Sequence, residues 1–93
     1  MKNCDLKRAK EIFGSGDYTC VLCKGEVAFT STEPGVKPLL NWLDDENVAK
    51  GFSAVDRVVG IAAAFLYILL EVKEVYAGVM SEAAADALAK YGI

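Results

Sequence analysis

Thirteen consecutive residues without a charge, Val58 to Leu70, constrain the fold of this chain more than any other feature of its sequence. A helix needs about 20 such residues to span a bilayer, and Arg57 and Glu71 bracket the run closely. A shorter run is typical of a buried core helix, so we expect no membrane association. Ser53 is suited to cap such a helix, and the sequence predicts one long central helix from Ser53 to about Leu70.

The segments before this run switch between helical and strand periodicity. From Asp5 to Phe13 the apolar residues recur at helical spacing, which predicts an amphipathic helix. Asp17 to Lys24 is rich in β-formers and nearly all apolar, as expected of a strand that is buried on both faces. Val27 to Ser31 follows after a turn at Gly25, so we predict an antiparallel hairpin.

Three further elements complete the predicted order. Pro38 suits the first turn of a short helix that reaches Asp44. Glu74 to Met80 predicts a third strand, and Ser81 is suited to cap a last helix that ends at Gly92. The order α-β-β-α-α-β-α predicts one α/β domain in which helices cover a mixed sheet, with the strands in the order second, first, third.

Composition limits the class of protein. A chain of 93 residues is long enough for one packed domain. The net charge of −3 and the lack of a basic run argue against a nucleic acid partner. The cysteines, Cys4, Cys20 and Cys23, are odd in number, and the polar N-terminus carries no apolar signal segment. We therefore expect a soluble protein of the reducing cytoplasm.

The absence of histidine from the sequence excludes the commonest catalytic sites. Ser-His-Asp and Cys-His nucleophile systems both need one, so any acid–base chemistry falls to carboxylates, lysines or tyrosines. Cys20 and Cys23 match a C-x-x-C pattern, but residues three apart on a strand point to opposite faces and cannot chelate one ion. We expect core cysteines, no metal and no cofactor.

Two predicted helix starts, around Ser53 to Arg57 and Ser81 to Glu82, should meet over one edge of the sheet, where open α/β sheets bind ligands. Asp56 and Arg57 are candidate contacts for a polar or anionic ligand. The alternative is a capping acid beside an arginine that reaches out to solvent. Ser81 and Glu82 are candidates for the same site, and ordinary helix capping is their alternative explanation.

Ser31 and Lys37 flank the loop after the hairpin and complete the set of candidate ligand contacts. A flexible lysine close to Gly35 could bind phosphate, but the spacing of a P-loop is absent. A solvated lysine ahead of a helix is the more ordinary explanation. No residue is assigned a catalytic role, and the sequence leaves open whether the protein is an enzyme.

Several short motifs, spread over nearly the whole chain, carry a resemblance to a known family. They are Asp17-Tyr18-Thr19, Phe29-Thr30-Ser31, Gly35-Val36-Lys37-Pro38-Leu39-Leu40, Asp56-Arg57-Val58-Val59-Gly60, Ala62-Ala63-Ala64, Val75-Tyr76-Ala77 and Ser81-Glu82. In these motifs the chain resembles a small prokaryotic family of unknown function that has a cytidine deaminase-like fold. The resemblance implies a three-layer α/β/α sandwich with a mixed sheet.

True deaminases of that superfamily hold a zinc ion that activates a water. At the matching positions this chain has Asp56, Arg57, Ser81 and Ala84, which do not form a zinc site. The resemblance therefore implies the fold and the pocket location but not deamination. Family members tend to continue past the last helix, so a chain that ends at Ile93 is expected to be a short or truncated version.

These observations together predict a single zinc-free deaminase-like domain, residues 1–93, that binds a small polar or nucleotide-like ligand at the sheet edge. The alternative is a catalytically inactive structural or protein-interaction module. Such a module would self-associate, for instance as a homodimer, through the edge of the third strand, which lacks a neighbour if nothing follows Ile93.

Overall fold

The structure, a computed structural model, describes residues 5–33, 35–44 and 48–93. Cys4, Pro34 and residues 45–47 lie outside these ranges, and with them parts of the loop after the hairpin and of the connection that follows the short helix. Within the described ranges the chain forms four helices and four strands: α1 (Asp5–Gly14), β1 (Cys20–Lys24), β2 (Val27–Ser31), α2 (Lys37–Leu43), β3 (Ser53–Val59), α3 (Ile61–Leu70), β4 (Glu74–Met80) and α4 (Glu82–Lys90).

The four strands form one mixed sheet in the order β2-β1-β3-β4. β1 pairs antiparallel with both β2 and β3, whereas β3 and β4 run parallel. The predicted hairpin is confirmed, and its turn uses Gly25 at φ 59°, a left-handed conformation that glycine adopts without a steric cost. The predicted sheet of three strands, which correspond to β1, β2 and β4, lacks β3. In the structure β3 lies between β1 and β4.

The long helix predicted from Ser53 to Leu70 is wrong. Its first part is strand β3, and α3 begins only at Ile61. Three of the seven residues of β3 are valines, whose branched side chains fit a pleated strand better than a helix. Gly60 separates the two elements with an extended backbone, φ −97° and ψ −174°. None of the helices in the described ranges has the length and apolarity needed to cross a membrane.

The predicted capping role of Ser53 and Asp56 is wrong for the same reason. Both residues lie in β3, with no helix start beside them. The Ser53 hydroxyl instead donates a hydrogen bond of 2.6 Å to Oε2 of Glu74 on β4. Asp56 pairs with Cys20 across the sheet, and its carboxyl group is buried.

Helices cover both faces of the sheet. Successive residues of β1 alternate between two apolar clusters, as a strand buried on both sides requires. Val21 and Cys23 pack with α1, whereas Cys20 and Leu22 pack with residues of α2, α3 and α4. The expectation that the two cysteines point to opposite faces is thereby confirmed.

The β3-α3-β4 unit positions the candidate site. Because β3 and β4 are parallel and Val59 lies beside Met80, both strands end at the same edge of the sheet. α3 follows Val59 after a single residue and α4 follows Met80 after Ser81, so both helices begin at that edge. The expectation that two helix starts meet over one sheet edge therefore holds, although the first of them lies at Gly60 instead of Ser53.

Candidate functional site

A cavity of about 520 Å³ opens at the carboxyl end of β3, beside the first turn of α3. Its wall combines the strand end, the helix start and the loop that leads into α2. The residues around it are Thr19, Gly35, Val36, Asp56, Arg57, Val58, Gly60, Ile61, Ala62 and Ala63. This is the edge at which open α/β sheets bind their ligands.

Asp56 is the buried acid of this cavity. The residue is 7 % exposed, and its two carboxylate oxygens have different partners. Oδ1 accepts the backbone N–H of Arg57 at 2.7 Å, and Oδ2 accepts the hydroxyl of Tyr67 at 2.7 Å. A carboxylate oxygen has more than one lone pair, so both oxygens can accept a further hydrogen bond from a ligand.

Burial raises the pKa of the Asp56 carboxyl above its ordinary value. The hydrogen bonds from Tyr67 and from the backbone N–H groups of Arg57 and Val58 lower the pKa, because they stabilise the charged form, but burial outweighs them. An acid with a raised pKa in a cavity is able both to accept and to return a proton.

Tyr67 connects Asp56 to a buried thiol. Its hydroxyl lies 3.0 Å from Sγ of Cys20 and donates its proton to Asp56. Since a hydroxyl has only one proton, the Cys20 thiol is the donor in the other contact when Asp56 is ionised. Burial and the nearby Asp56 charge raise the pKa of the Cys20 thiol to about 12, so the thiol is neutral and not a nucleophile.

The first turn of α3 supplies hydrogen-bond donors to the same cavity. Gly60 occupies the N-cap position and has no side chain to accept from the helix. The first backbone bond of the helix runs from Ala64 N–H to Gly60 O, so the N–H groups of Ile61, Ala62 and Ala63 precede the internal ladder. The cavity therefore combines a carboxylate acceptor with backbone donors at the positive end of a helix.

Arg57 lies at the rim of the cavity and is exposed. Its guanidinium donates a hydrogen bond of 3.1 Å from Nη2 to the carbonyl oxygen of Tyr18. Its backbone N–H lies 3.1 Å from the carbonyl oxygen of Thr19, which continues the β1–β3 pairing to the strand end. The arginine thus closes the sheet beside Asp56 and keeps further donors that can reach a ligand.

Four of the six predicted contact residues lie outside this cavity. The Ser81 hydroxyl accepts the N–H of Ala84 at 3.1 Å and caps α4, while Glu82 is exposed in the first helical turn. Ser31 lines a separate recess of about 100 Å³. Lys37 forms an exposed ion pair of 3.2 Å with Glu33. Asp56 and Arg57 are the two that the structure brings together.

Sequence reasoning missed Thr19 and Tyr67. The Thr19 hydroxyl donates to the carbonyl oxygen of Glu33 at 2.6 Å, which holds the loop before α2 against the start of β1. The sequence does offer an indication for Tyr67, because a tyrosine inside an uncharged, buried helix needs a hydrogen-bond partner for its hydroxyl. Within 5–33, 35–44 and 48–93, no three Cys, Asp or Glu side chains lie close enough together to hold a metal ion.

The chain is similar to one known protein family and to a solved structure of that family. A family model described as TM1506, domain of unknown function (DUF1893), matches residues 8–93. The crystal structure of a DUF1893 family protein (TM1506) from Thermotoga maritima is similar, with a TM-score of 0.86 and 26 % sequence identity. The similarity covers 99 % of this chain and 63 % of that one, so this chain spans less than two thirds of its relative. No functionally curated protein matches.

Proposed function

The chain belongs to the DUF1893 family of domains of unknown function, and we propose that it binds a small polar or nucleotide-like molecule in the cavity beside Asp56. The observation that carries the proposal is the buried carboxyl group of Asp56, held by Tyr67 in the wall of a cavity of about 520 Å³. Sites for small molecules have volumes of roughly 300–1,000 Å³.

The chemistry of the cavity wall indicates the kind of ligand. Most of the wall is apolar, with Val36, Val58 and Ile61 among its residues. Against this background Asp56 offers a charged acceptor and the first turn of α3 offers donors. A ligand with a largely flat or apolar body and one polar edge, able to donate to Asp56 and to accept from the helix, satisfies both sets of groups.

The remaining predicted residues have peripheral parts in the proposal. Arg57 would contact an outer, anionic portion of the ligand from the rim. Ser31, Lys37, Ser81 and Glu82 would be reached only by a ligand that extends beyond the cavity. We assign no reaction to the site, although the raised pKa of Asp56 equips this carboxyl for proton transfer.

The proposal extends to the type of fold. A zinc-free cytidine deaminase-like domain, built as a three-layer sandwich, is supported by α1 on one face of the sheet and α2, α3 and α4 on the other. A sequence without histidine supports the zinc-free part. A cytoplasmic location is supported by Cys20 and Cys23, both of which are free thiols.

Native mass spectrometry of the purified protein, beside a denatured spectrum, is the first test. A non-covalent added mass of metabolite size supports the proposal and identifies the compound for titration. Where no mass is added, a panel of nucleosides and nucleoside monophosphates is screened by thermal shift. A protein that carries no added mass and gains no stability from any of these compounds contradicts the proposal.

Asp56→Asn tests the assigned site with the identified compound. Removing the charged acceptor of a buried hydrogen bond costs about 1.5–3 kcal/mol, so affinity should fall roughly 10- to 150-fold. Asp86→Asn is the matched control, because it removes the same charge from an exposed position on α4. Equal losses in both variants, or none in either, would show that Asp56 is not the contact.

The alternative function, an inactive module that self-associates, depends on a different part of the molecule. Self-association would use the edge of β4 and not the cavity, so it is tested independently of ligand binding.

A further inference from the structure

Among the described residues, no cationic side chain forms an ion pair with the buried carboxylate of Asp56. The ion pairs found there join other residues. The carboxylate is held by neutral donors instead, the Tyr67 hydroxyl and the backbone N–H of Arg57, each at 2.7 Å. Hydrogen bonds replace part of the water that a buried carboxylate loses, but its negative charge stays uncompensated until a cation approaches.

Arg57 is the cation nearest to Asp56 along the chain, and its side chain has a different partner. Successive side chains of a strand point to opposite faces of the sheet, so Arg57 does not share the face on which Asp56 meets Tyr67. Nη2 of Arg57 donates to the carbonyl oxygen of Tyr18 at 3.1 Å. Hydrogen bonds lower the pKa of the Asp56 carboxyl, whereas the Arg57 charge is not among the causes. The neighbouring arginine therefore does not neutralise Asp56.

The hydrogen bonds around Asp56 are ordered for an ionised carboxylate. Sγ of Cys20 lies 3.0 Å from the Tyr67 hydroxyl, and that hydroxyl lies 2.7 Å from Oδ2 of Asp56. When the thiol donates to the hydroxyl and the hydroxyl to the carboxylate, each proton of this chain points toward Asp56. At Oδ1 the backbone N–H of Arg57 can only donate. A ligand group that reaches the remaining lone pairs therefore has to supply the hydrogen itself.

We infer that the ligand presents a protonated nitrogen, as in an ammonium, amidinium or guanidinium group, to the Asp56 carboxylate. This assignment rests on the proposed function, because it specifies which ligand group meets Asp56 in the same cavity. The apolar wall formed by Val36, Val58 and Ile61 keeps water from such a pair, which strengthens the attraction between the two charges. Arg57 at the rim has the opposite charge, so any anionic group of the ligand faces outward.

Three compounds that share a benzene ring and differ in charge test the inference on the unaltered protein. Near pH 8 benzamidine is a cation, benzamide is neutral and benzoate is an anion. Titrations followed by amide NMR spectra give the affinity of each compound, and the signals of Gly60 and Ile61 report binding in the cavity. Benzamidine should bind at least about tenfold more tightly than benzamide, because a hydrogen bond between charged groups is the stronger one. Benzoate should bind most weakly, because its charge repels Asp56.

Asp56→Asn keeps the size of the side chain and removes its charge. Benzamidine should bind this variant no more tightly than benzamide does. Asp86→Asn is the matched control, because it removes the same charge from an exposed position on α4. The control should retain the preference for benzamidine, and circular dichroism checks that both variants are folded.

The inference is overturned if benzamide or benzoate binds as tightly as benzamidine, or if the preference for benzamidine survives in Asp56→Asn. It is equally overturned if benzamidine does not bind at millimolar concentration. When mass spectrometry or the nucleoside screen identifies a ligand that benzamidine does not displace, the cationic assignment fails and the proposed function stands. When neither those searches nor the three probes give binding, both fail.

Discussion

Replacing Tyr67 by phenylalanine removes one oxygen atom from the centre of the candidate site. That atom donates a hydrogen bond of 2.7 Å to Asp56 and lies 3.0 Å from the Cys20 thiol, and the residue itself is fully buried. Phenylalanine fills nearly the same space, so the substitution leaves no large cavity. What changes is that Oδ2 of Asp56 loses the donor seen in the structure and Cys20 loses its acceptor.

The stability lost in Tyr67→Phe follows from the negative charge of the Asp56 carboxylate, which accepts the hydrogen bond. A hydrogen bond to a charged group contributes about 1.5–3 kcal/mol, and a buried acceptor left without its partner loses that contribution in full. We expect Tyr67→Phe to lower the free energy of unfolding by about 2 kcal/mol near pH 8. For a domain of this size that corresponds to a fall in Tm of roughly 8–16 °C.

The pH dependence of this cost identifies its cause. Removing the Tyr67 hydroxyl raises the pKa of Asp56 further, because the lost hydrogen bond had stabilised the charged form. A folded-state pKa raised above the unfolded value means stability that is present at low pH and lost as pH rises through the raised pKa. The difference between variant and wild type should therefore shrink as the pH falls through the raised pKa of Asp56, because the protonated carboxyl group is no longer a charged acceptor.

Urea unfolding at several pH values, followed by circular dichroism, measures both effects. Tyr91→Phe is the control, since the same atom is removed from a residue that is 57 % exposed. The control should change the free energy of unfolding by less than about 0.5 kcal/mol. If Tyr67→Phe is as mild as the control, or if its cost is the same at every pH, Tyr67 does not support a charged Asp56.

Two further predictions concern the Ser81 cap and the Cys20 thiol. Ser81→Ala should cost about 1 kcal/mol of stability through loss of the α4 cap, Ser81→Asp should retain most of it, and neither should change the affinity of the ligand found for the cavity. A large loss of affinity with unchanged stability would instead make Ser81 a ligand contact. The Cys20 thiol, buried and with its pKa raised to about 12, should resist iodoacetamide near pH 8 until the protein is unfolded, as peptide mass spectrometry would show. Labelling of Cys20 in the native protein at the rate of a free thiol would contradict its burial.

Most elements of the fold follow from local sequence patterns. The second strand of the hairpin, Val27–Ser31, and the last strand, Glu74–Met80, have the predicted bounds. The short helix is Lys37–Leu43 where Pro38 to Asp44 was predicted. In these segments the change of hydrophobic period coincides with a glycine, proline or serine signal, so each boundary is marked by two independent features.

β3 was missed because its signals were ambiguous. A short apolar run bounded by polar residues can be a buried strand or part of a buried helix, and periodicity does not separate them. Ser53 followed by Asp56 imitates a capping box. This pattern favoured a helix that starts at Ser53, which is in fact the first residue of strand β3. The signals that favoured a strand were the valines of Ser53–Val59 and the glycine at position 60.

Two helix starts meet at one edge of the sheet despite this error, because a β-α-β unit brings a strand end and a helix start to the same edge. The electrostatic environment of Asp56 differs between the predicted helix start and the observed strand. As a capping acid at a helix N-terminus it would interact with the positive end of the helix dipole, and its pKa would be lowered. As a buried member of β3 it has a raised pKa, because desolvation outweighs its hydrogen bonds.

The pKa of Asp56 therefore distinguishes the two placements directly. Titration of its carboxyl carbon by NMR should give a pKa above the ordinary value of an exposed aspartate. In Tyr67→Phe the titration should move further upward, since the donor that lowers the pKa is gone. A pKa of Asp56 below that ordinary value would instead fit a solvated capping acid. The argument that its buried carboxyl group serves a ligand would then lose its basis.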